Sequence, residues 1–182
     1  MTVTREDLWK ASVIEASPGY SPNIGVLVAM LHYARLTTLQ AVAGLSVEEL
    51  DAIPPGFSNS IGMLLAHIAA VDRHYQHISF EGRWFDEEEM AVHGGAITFG
   101  QEGERARGFP LEHYLSELEA ARADTLAELA HRDDEWLASR LQVPGFDYPN
   151  HHWAWFHVME DEVSHRGQIR IIRKALKARA QD

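Results

Sequence analysis

The chain has 182 residues, of which 46% are hydrophobic and 24% charged, a size and balance that suit one globular domain with its own core and exclude a disordered or fibrous polymer. Sixteen Lys and Arg against 27 Asp and Glu give a formal charge of −11, which repels phosphate backbones and anionic lipid and argues against nucleic acid or a membrane as partner. Cysteine is absent, the first twenty residues are too charged for a signal peptide, and no apolar run reaches the roughly 20 residues of a membrane span, so the expectation is a cytoplasmic protein.

Four long helices are predicted. Ser21-Pro22 sets a capping residue before a proline at the first helical position, and the pattern through Val26, Leu27, Met30, Leu31 and Ala34 carries helix one towards Gly44. Ser46-Val47-Glu48-Glu49 opens a short extra turn that Pro54-Pro55 ends. Helix two runs from about Ser60 to Ile78, with Met63, Leu64, His67, Ala70, Val71, His74 and Ile78 at three- and four-residue steps, while Asp72, Arg73 and Gln76 point away. Helix three spans Pro110 to about His131, and helix four begins near Asn150 and ends about Lys177. The segment Ser79 to Phe109 is glycine-rich and shows no sustained period; a connection of that length reads as functional or as a crossover. The expected fold is all-α, one domain over 1–182 with its core at about 21–178, a four-helix bundle with a long crossover between helices two and three.

Spacing alone is weak evidence for a site. A His or acid four positions before a His occurs at Glu89/His93, Asp147/His151 and Asp161/His165, against about two expected by chance. Position on the helix is more telling. A wheel of about 100° per residue places Trp153, Ala154, Val158, Ile169, Ile171 and Ile172 of helix four on the core side, with Arg166, Arg170, Arg173, Lys174 and Lys177 opposite, in solvent. Yet His157, Asp161, His165 and Gln168 lie within the apolar stripe, and a buried carboxylate needs a cation or donors to compensate it. His67 enters the same interior from helix two. One divalent metal ion held by His67, Asp161 and His165 accounts for this, with sites left open for water or substrate as in reactive rather than structural centres. The competing reading is a polar network in which Asp161 pairs with a protonated histidine. His157 is read as a pocket wall, an outer partner of a ligand or an alternative ligand; Gln168 as a group that orients a ligand or bonds to backbone; His74 as facing the open side of the metal from the pocket or as packing. Glu162 points sideways, His151 and His152 are expected to be exposed, and Gly167, a mid-helix glycine costing ~1 kcal/mol relative to alanine, either marks close approach by another segment or is incidental.

The helix-two run Leu64-Leu65-Ala66-His67-Ile68-Ala69-Ala70-Val71-Asp72-Arg73-His74-Tyr75 and the helix-four run Phe156-His157-Val158-Met159-Glu160-Asp161-Glu162-Val163-Ser164-His165-Arg166-Gly167-Gln168-Ile169 resemble the two ligand helices of the DinB-like superfamily, which includes YfiT and the mycothiol-dependent maleylpyruvate isomerase. That resemblance implies an up-down-down-up bundle, zinc or nickel bound at the positions of His67, Asp161 and His165, and a homodimer. Asp161 departs from the pattern, because many members carry His or Glu there.

The function expected from residues and resemblance together is metal-dependent chemistry on a small-molecule substrate, foremost a thiol S-transferase using a low-molecular-weight thiol. A metal-dependent hydrolase with Glu162 or His157 as base, and a non-catalytic metal- or ligand-binding stress protein, are the alternatives.

Overall fold

The computed structural model describes residues 3–99 and 106–179. Among them the regular structure is helical: α1 Arg5–Ala11, α2 Pro22–Val42, α3 Val47–Asp51, α4 Ile61–Gln76, α5 Glu87–Thr98, α6 Leu111–Leu129, α7 Asp134–Ala138 and α8 His151–Arg179. None of these helices is long and apolar enough to cross a membrane.

Local chemistry explains the boundaries. Ser46 and Glu49 form the predicted capping box of α3, and the Ser60 hydroxyl accepts from the Met63 amide to open α4. The start of α2 is capped from a distance: Ser21 makes no side-chain cap bond, and the Asp134 carboxylate of α7 accepts from the Asn23 and Ile24 amides instead. Helix α4 stops at Gln76, two residues before the predicted end, where a π-helical turn His77–Glu81 takes over. Gly82 closes that turn at φ +69°, with Gln142 O only 3.2 Å from where a Cβ would sit.

The segment read as lacking a period contains α5. Its signal is a capping box of Asp86 and Glu89 with three glutamates in the first turn, which suit the positive end of the helix dipole; Gly94 and Gly95 hide the apolar rhythm.

The four long helices pack in a defined register. From α4 to α6, Gly62 lies against Tyr114, Arg73 meets Glu117 and Gln76 reaches Thr125, so the contacts advance together along both helices. From α2 to α8, Arg35 meets Glu162, Thr37 meets Arg166 and Arg173 donates to the Ala41 carbonyl, again advancing together. Between α4 and α8 the order reverses: His67 faces His165, Tyr75 faces His157, and Ser79 meets His151.

Two apolar clusters fill the interior. One gathers Ile24, Leu31, Tyr75, Leu129, Trp155 and Val158; the other Val42, Leu64, Leu65, Leu118, Ile169 and Ile172. Between members of the two clusters along their helices lie Arg35 of α2, Asp72 of α4, Arg122 of α6 and Glu162 of α8, all buried. Arg122 donates to Asp72 (2.8 Å), to Glu162 (3.1 Å) and to the Leu31 carbonyl (3.2 Å). Arg35 donates to Glu162 (2.9 Å) and to the Leu118 carbonyl and lies 3.6 Å from Asp72, which also accepts from the Thr125 hydroxyl. Two positive and two negative groups leave the set neutral, the condition under which charge can stay buried.

This network corrects the wheel in several places. Asp72 and Glu162 are fully buried rather than turned away or sideways, because the guanidinium groups meet them inside. Gln76 reaches the Ala121 carbonyl and Arg73 reaches Glu117. Arg166 and Arg173 are tied to α2 rather than solvated, whereas Ile171 and Trp153 are exposed. His151 is buried: its Nδ1 lies 2.8 Å from Ser79 Oγ and its ring stacks on Trp136, while His152 is exposed as expected.

Candidate metal centre

Three side chains from two helices meet in the half of the interior nearest the middle of α8. Asp161 and His165 stand four residues apart on α8, hence on one face, and His67 faces them from α4. Asp161 Oδ1 is 3.3 Å from His165 Nε2 and Oδ2 is 3.6 Å from His67 Nε2; one donor atom from each residue lies within 4.8 Å of the others. Two ligands at tetrahedral positions about 2.0–2.1 Å from a zinc ion stand about 3.3–3.4 Å apart, so each histidine is near that separation from one oxygen of Asp161, and a shared cation would draw the three donors closer than their 4.8 Å limit.

The surroundings suit a cation too. Asp161 Oδ2 is buried with no hydrogen-bond partner, a deficit that a positive ion would remove. The Ala96 carbonyl of α5 lies 2.8 Å from His67 Nδ1. A carbonyl only accepts, so Nδ1 carries a hydrogen, and a cation between His67 and Asp161 would meet the Nε2 lone pair. On His165 the amide of Gln168 lies 3.1 Å from Nδ1. A half-turn of that amide presents its oxygen to an Nδ1–H and frees Nε2 in the same way. Burial works to raise the pKa of Asp161, but the contacts from His165 and then His67 outweigh it and hold the carboxyl well below the usual carboxylate range, so it is an anion.

Phe99 closes one side. Its ring stacks on His67 at 4.3 Å between centroids and stands edge-on to His165 at 5.8 Å. It holds this place at φ +59°, a left-handed conformation costly for an aromatic residue. Tyr75, on α4 two turns beyond His67, is buried; burial first, then the charges of Asp161 and Glu160, push its phenol up to about 12.

Of the residues singled out from sequence, the structure thus brings His67, Asp161, His165 and Gln168 together. His157 stands apart from the donor set: its ring stacks on Trp153 and its Nδ1 pairs with Glu160 at 3.0 Å. His74 packs against Phe85 and Trp84, with Nδ1 buried and unpartnered. Glu162, held by Arg35 and Arg122, is not free to act as a base. No other segment crowds Gly167: a Cβ there would meet nothing within 4 Å among the described residues, contrary to the close approach expected. Sequence reasoning missed the Ala96 carbonyl, Phe99 and the buried ion network. Only Arg35, the one Lys, Arg, Asp or Glu among the 21 residues of α2, carried a visible signal.

Fold and site together define a helical protein with a donor set of two buried histidines and a half-buried carboxylate that could hold a divalent ion. The sequence model of the mycothiol-S-transferase family matches residues 26–178, and the chain belongs to that family, a DinB/YfiT-like one, as the two ligand-helix runs suggested. A conserved protein from Enterococcus faecalis of known structure is similar in fold, with a TM-score of 0.65 and 17% identity over 84% of this chain and 96% of that one. None of the curated proteins matches the sequence.

Proposed function

We propose that the protein is a metal-dependent thiol S-transferase, with zinc or nickel held by His67, Asp161 and His165 and a low-molecular-weight thiol such as mycothiol as one substrate. The observation that carries this reading is the convergence of the three donors around a carboxylate oxygen that has no hydrogen-bond partner. Family membership supplies the thiol.

A divalent cation bound there supplies Lewis acidity that favours thiolate over thiol near neutral pH. The chain's own residues prepare for it. Ala96 fixes the tautomer of His67, Gln168 orients His165, and the Phe99 ring keeps water from one side of both imidazoles. In the net reaction the thiol loses its proton and its sulfur forms a bond to an electrophilic carbon. The leaving group departs with the electron pair of the broken bond.

The register of the long helices supports an up-down-down-up four-helix bundle, with α5 inside the crossover, as one domain. A reducing cytoplasm is the compartment that keeps such a thiol available.

The experiment loads the protein with zinc or nickel, adds mycothiol and a model electrophile, and follows loss of free thiol. Turnover that a chelator and His165→Ala both abolish is the expected result. Turnover that needs no thiol refutes the transferase reading, and full activity after complete metal removal refutes the metal.

A further inference from the structure

A cavity of about 280 Å³ opens between α4, α5 and α6, and His67, Asp161 and His165 do not line it. Its floor is α4 from Met63 to Arg73, about 15 Å of helix. Met63, Leu65, Ala69 and Ala70 in that floor are buried, so the cavity reaches into the packed body of the protein. Protein interiors are close-packed and keep few voids larger than a water molecule, so a hollow of this size calls for an occupant.

The walls differ from end to end. Near the start of α6, Phe109 stacks on His113 at 4.2 Å between centroids and stands edge-on to Tyr114, whose hydroxyl is spent on the Ala106 carbonyl at 3.0 Å. Phe99, at the end of α5, adds another ring. At the opposite end of the floor, Arg73 donates to Glu117 of α6 at 3.1 Å, and His93 of α5 lies within the field of both. Burial first, and then the Arg73 charge, hold His93 below the ordinary imidazole range, so it is neutral near pH 7. This end therefore offers a matched ion pair and a neutral ring, with donors and acceptors but no net charge. A carboxylate here would face Glu117, and Asp124 also lies 4.0 Å from Arg73; an ammonium group would face Arg73 itself.

We propose that this cavity is a second binding site, which takes an uncharged aromatic molecule carrying one hydroxyl group. The ring system packs offset or edge-on among Phe99, Phe109 and Tyr114. The hydroxyl both donates and accepts at the end formed by Arg73, Glu117 and His93, and it leaves their ion pair intact. At about 30 Å³ per non-hydrogen atom, the share of a water molecule in its liquid, the cavity holds roughly ten such atoms, the size of a two-ring phenol. The site shares a wall with the candidate metal centre, because Ala96 and Phe99 line the cavity and also touch His67. It needs no metal, and it stands whether or not the transferase reading holds.

Titration calorimetry of the full chain with naphthol at pH 7, once with added zinc and once with a chelator, tests the site. Naphthol is expected to bind in both states, about tenfold or more tighter than naphthoate or protonated naphthylmethylamine. Ala70→Leu in the floor and Ala91→Phe in the facing wall should each weaken naphthol about tenfold or more. Ala70→Leu adds atoms to an existing void, so its thermal midpoint should be equal or higher. Should that midpoint fall, Ala91→Phe decides, because it lies at an exposed position of α5. Absence of naphthol binding overturns the proposal, as do binding that the chelator abolishes, binding that Ala91→Phe leaves unchanged, and a charged analogue that binds as tightly.

Discussion

Replacing Arg122 with Met removes a positive charge from the centre of the fold while keeping most of the side-chain volume. The hydrogen bonds to Asp72, Glu162 and the Leu31 carbonyl disappear together. Asp72 and Glu162, both with fully buried side chains, are left to share Arg35. Burial disfavours charge on Arg122, but Asp72 and Glu162 outweigh it and raise its pKa, so the lost group is a cation at any working pH. Removing one partner from a buried ion pair costs about 3–5 kcal/mol, against a total stability of about 5–15 kcal/mol. For a chain of this size that corresponds to a fall in Tm of roughly 6–20 °C. Urea and thermal unfolding followed by far-UV circular dichroism at pH 7 measure it. Combining Arg122→Met with Glu162→Met restores neutrality, leaving Arg35 with Asp72, and the double variant should lose less than the sum of the singles by at least about 1 kcal/mol. A cost below about 1 kcal/mol for Arg122→Met, or strict additivity, would show that the four groups do not act as one set.

Gln168→Ala removes the amide beside His165 and should weaken zinc affinity about 10–100-fold while the secondary structure is kept; isothermal titration with a competing chelator reads this, and unchanged affinity removes Gln168 from the site. His151 is held down to about 4, by burial first and then by the charge of Arg132. Between that value and the ordinary 6.5 the unfolded chain binds the extra proton, so His151 contributes its full stability above about pH 6.5 and loses it as pH falls towards 4, by up to about 3 kcal/mol. His151→Gln should flatten that part of the unfolding free energy against pH, and an unaltered slope removes His151 as its source. Gly25→Ala would press a Cβ to 2.9–3.1 Å from the backbone of Ala16 and Ser17 and should cost about 1–3 kcal/mol in urea unfolding; a neutral result means that the segment before α2 yields freely.

The donor triad was legible in the sequence because Asp161 and His165, with His157 and Gln168, interrupt the apolar stripe of α8, and a helix leaves little choice about where residues four apart point. The long helices were legible from their caps and periods. The wheel failed at Asp72, Glu162, Arg166 and Arg173 for one reason: it assigns charge to solvent, whereas these groups find partners on another helix. That pairing is set by register between helices, which no single-helix pattern contains. The Ala96 carbonyl was illegible for a related reason. A backbone acceptor has no residue signature, and it reaches His67 only after α5 folds back on α4. His151 was misjudged because the π-helical turn that carries Ser79 shifts the hydroxyl out of the α-helical phase, and pattern reading has no term for that.

The ion network draws one charged member from each of four helices, and that constrains how such a sequence can change over generations. Losing any one member strands a charge, whereas losing an acid and a base together does not. Descent away from this arrangement therefore has to pass through a crippled intermediate or move by coupled substitutions on separate helices. Related chains that had abandoned it would be expected to lack an acid and a base at once, with apolar side chains of similar bulk in their places.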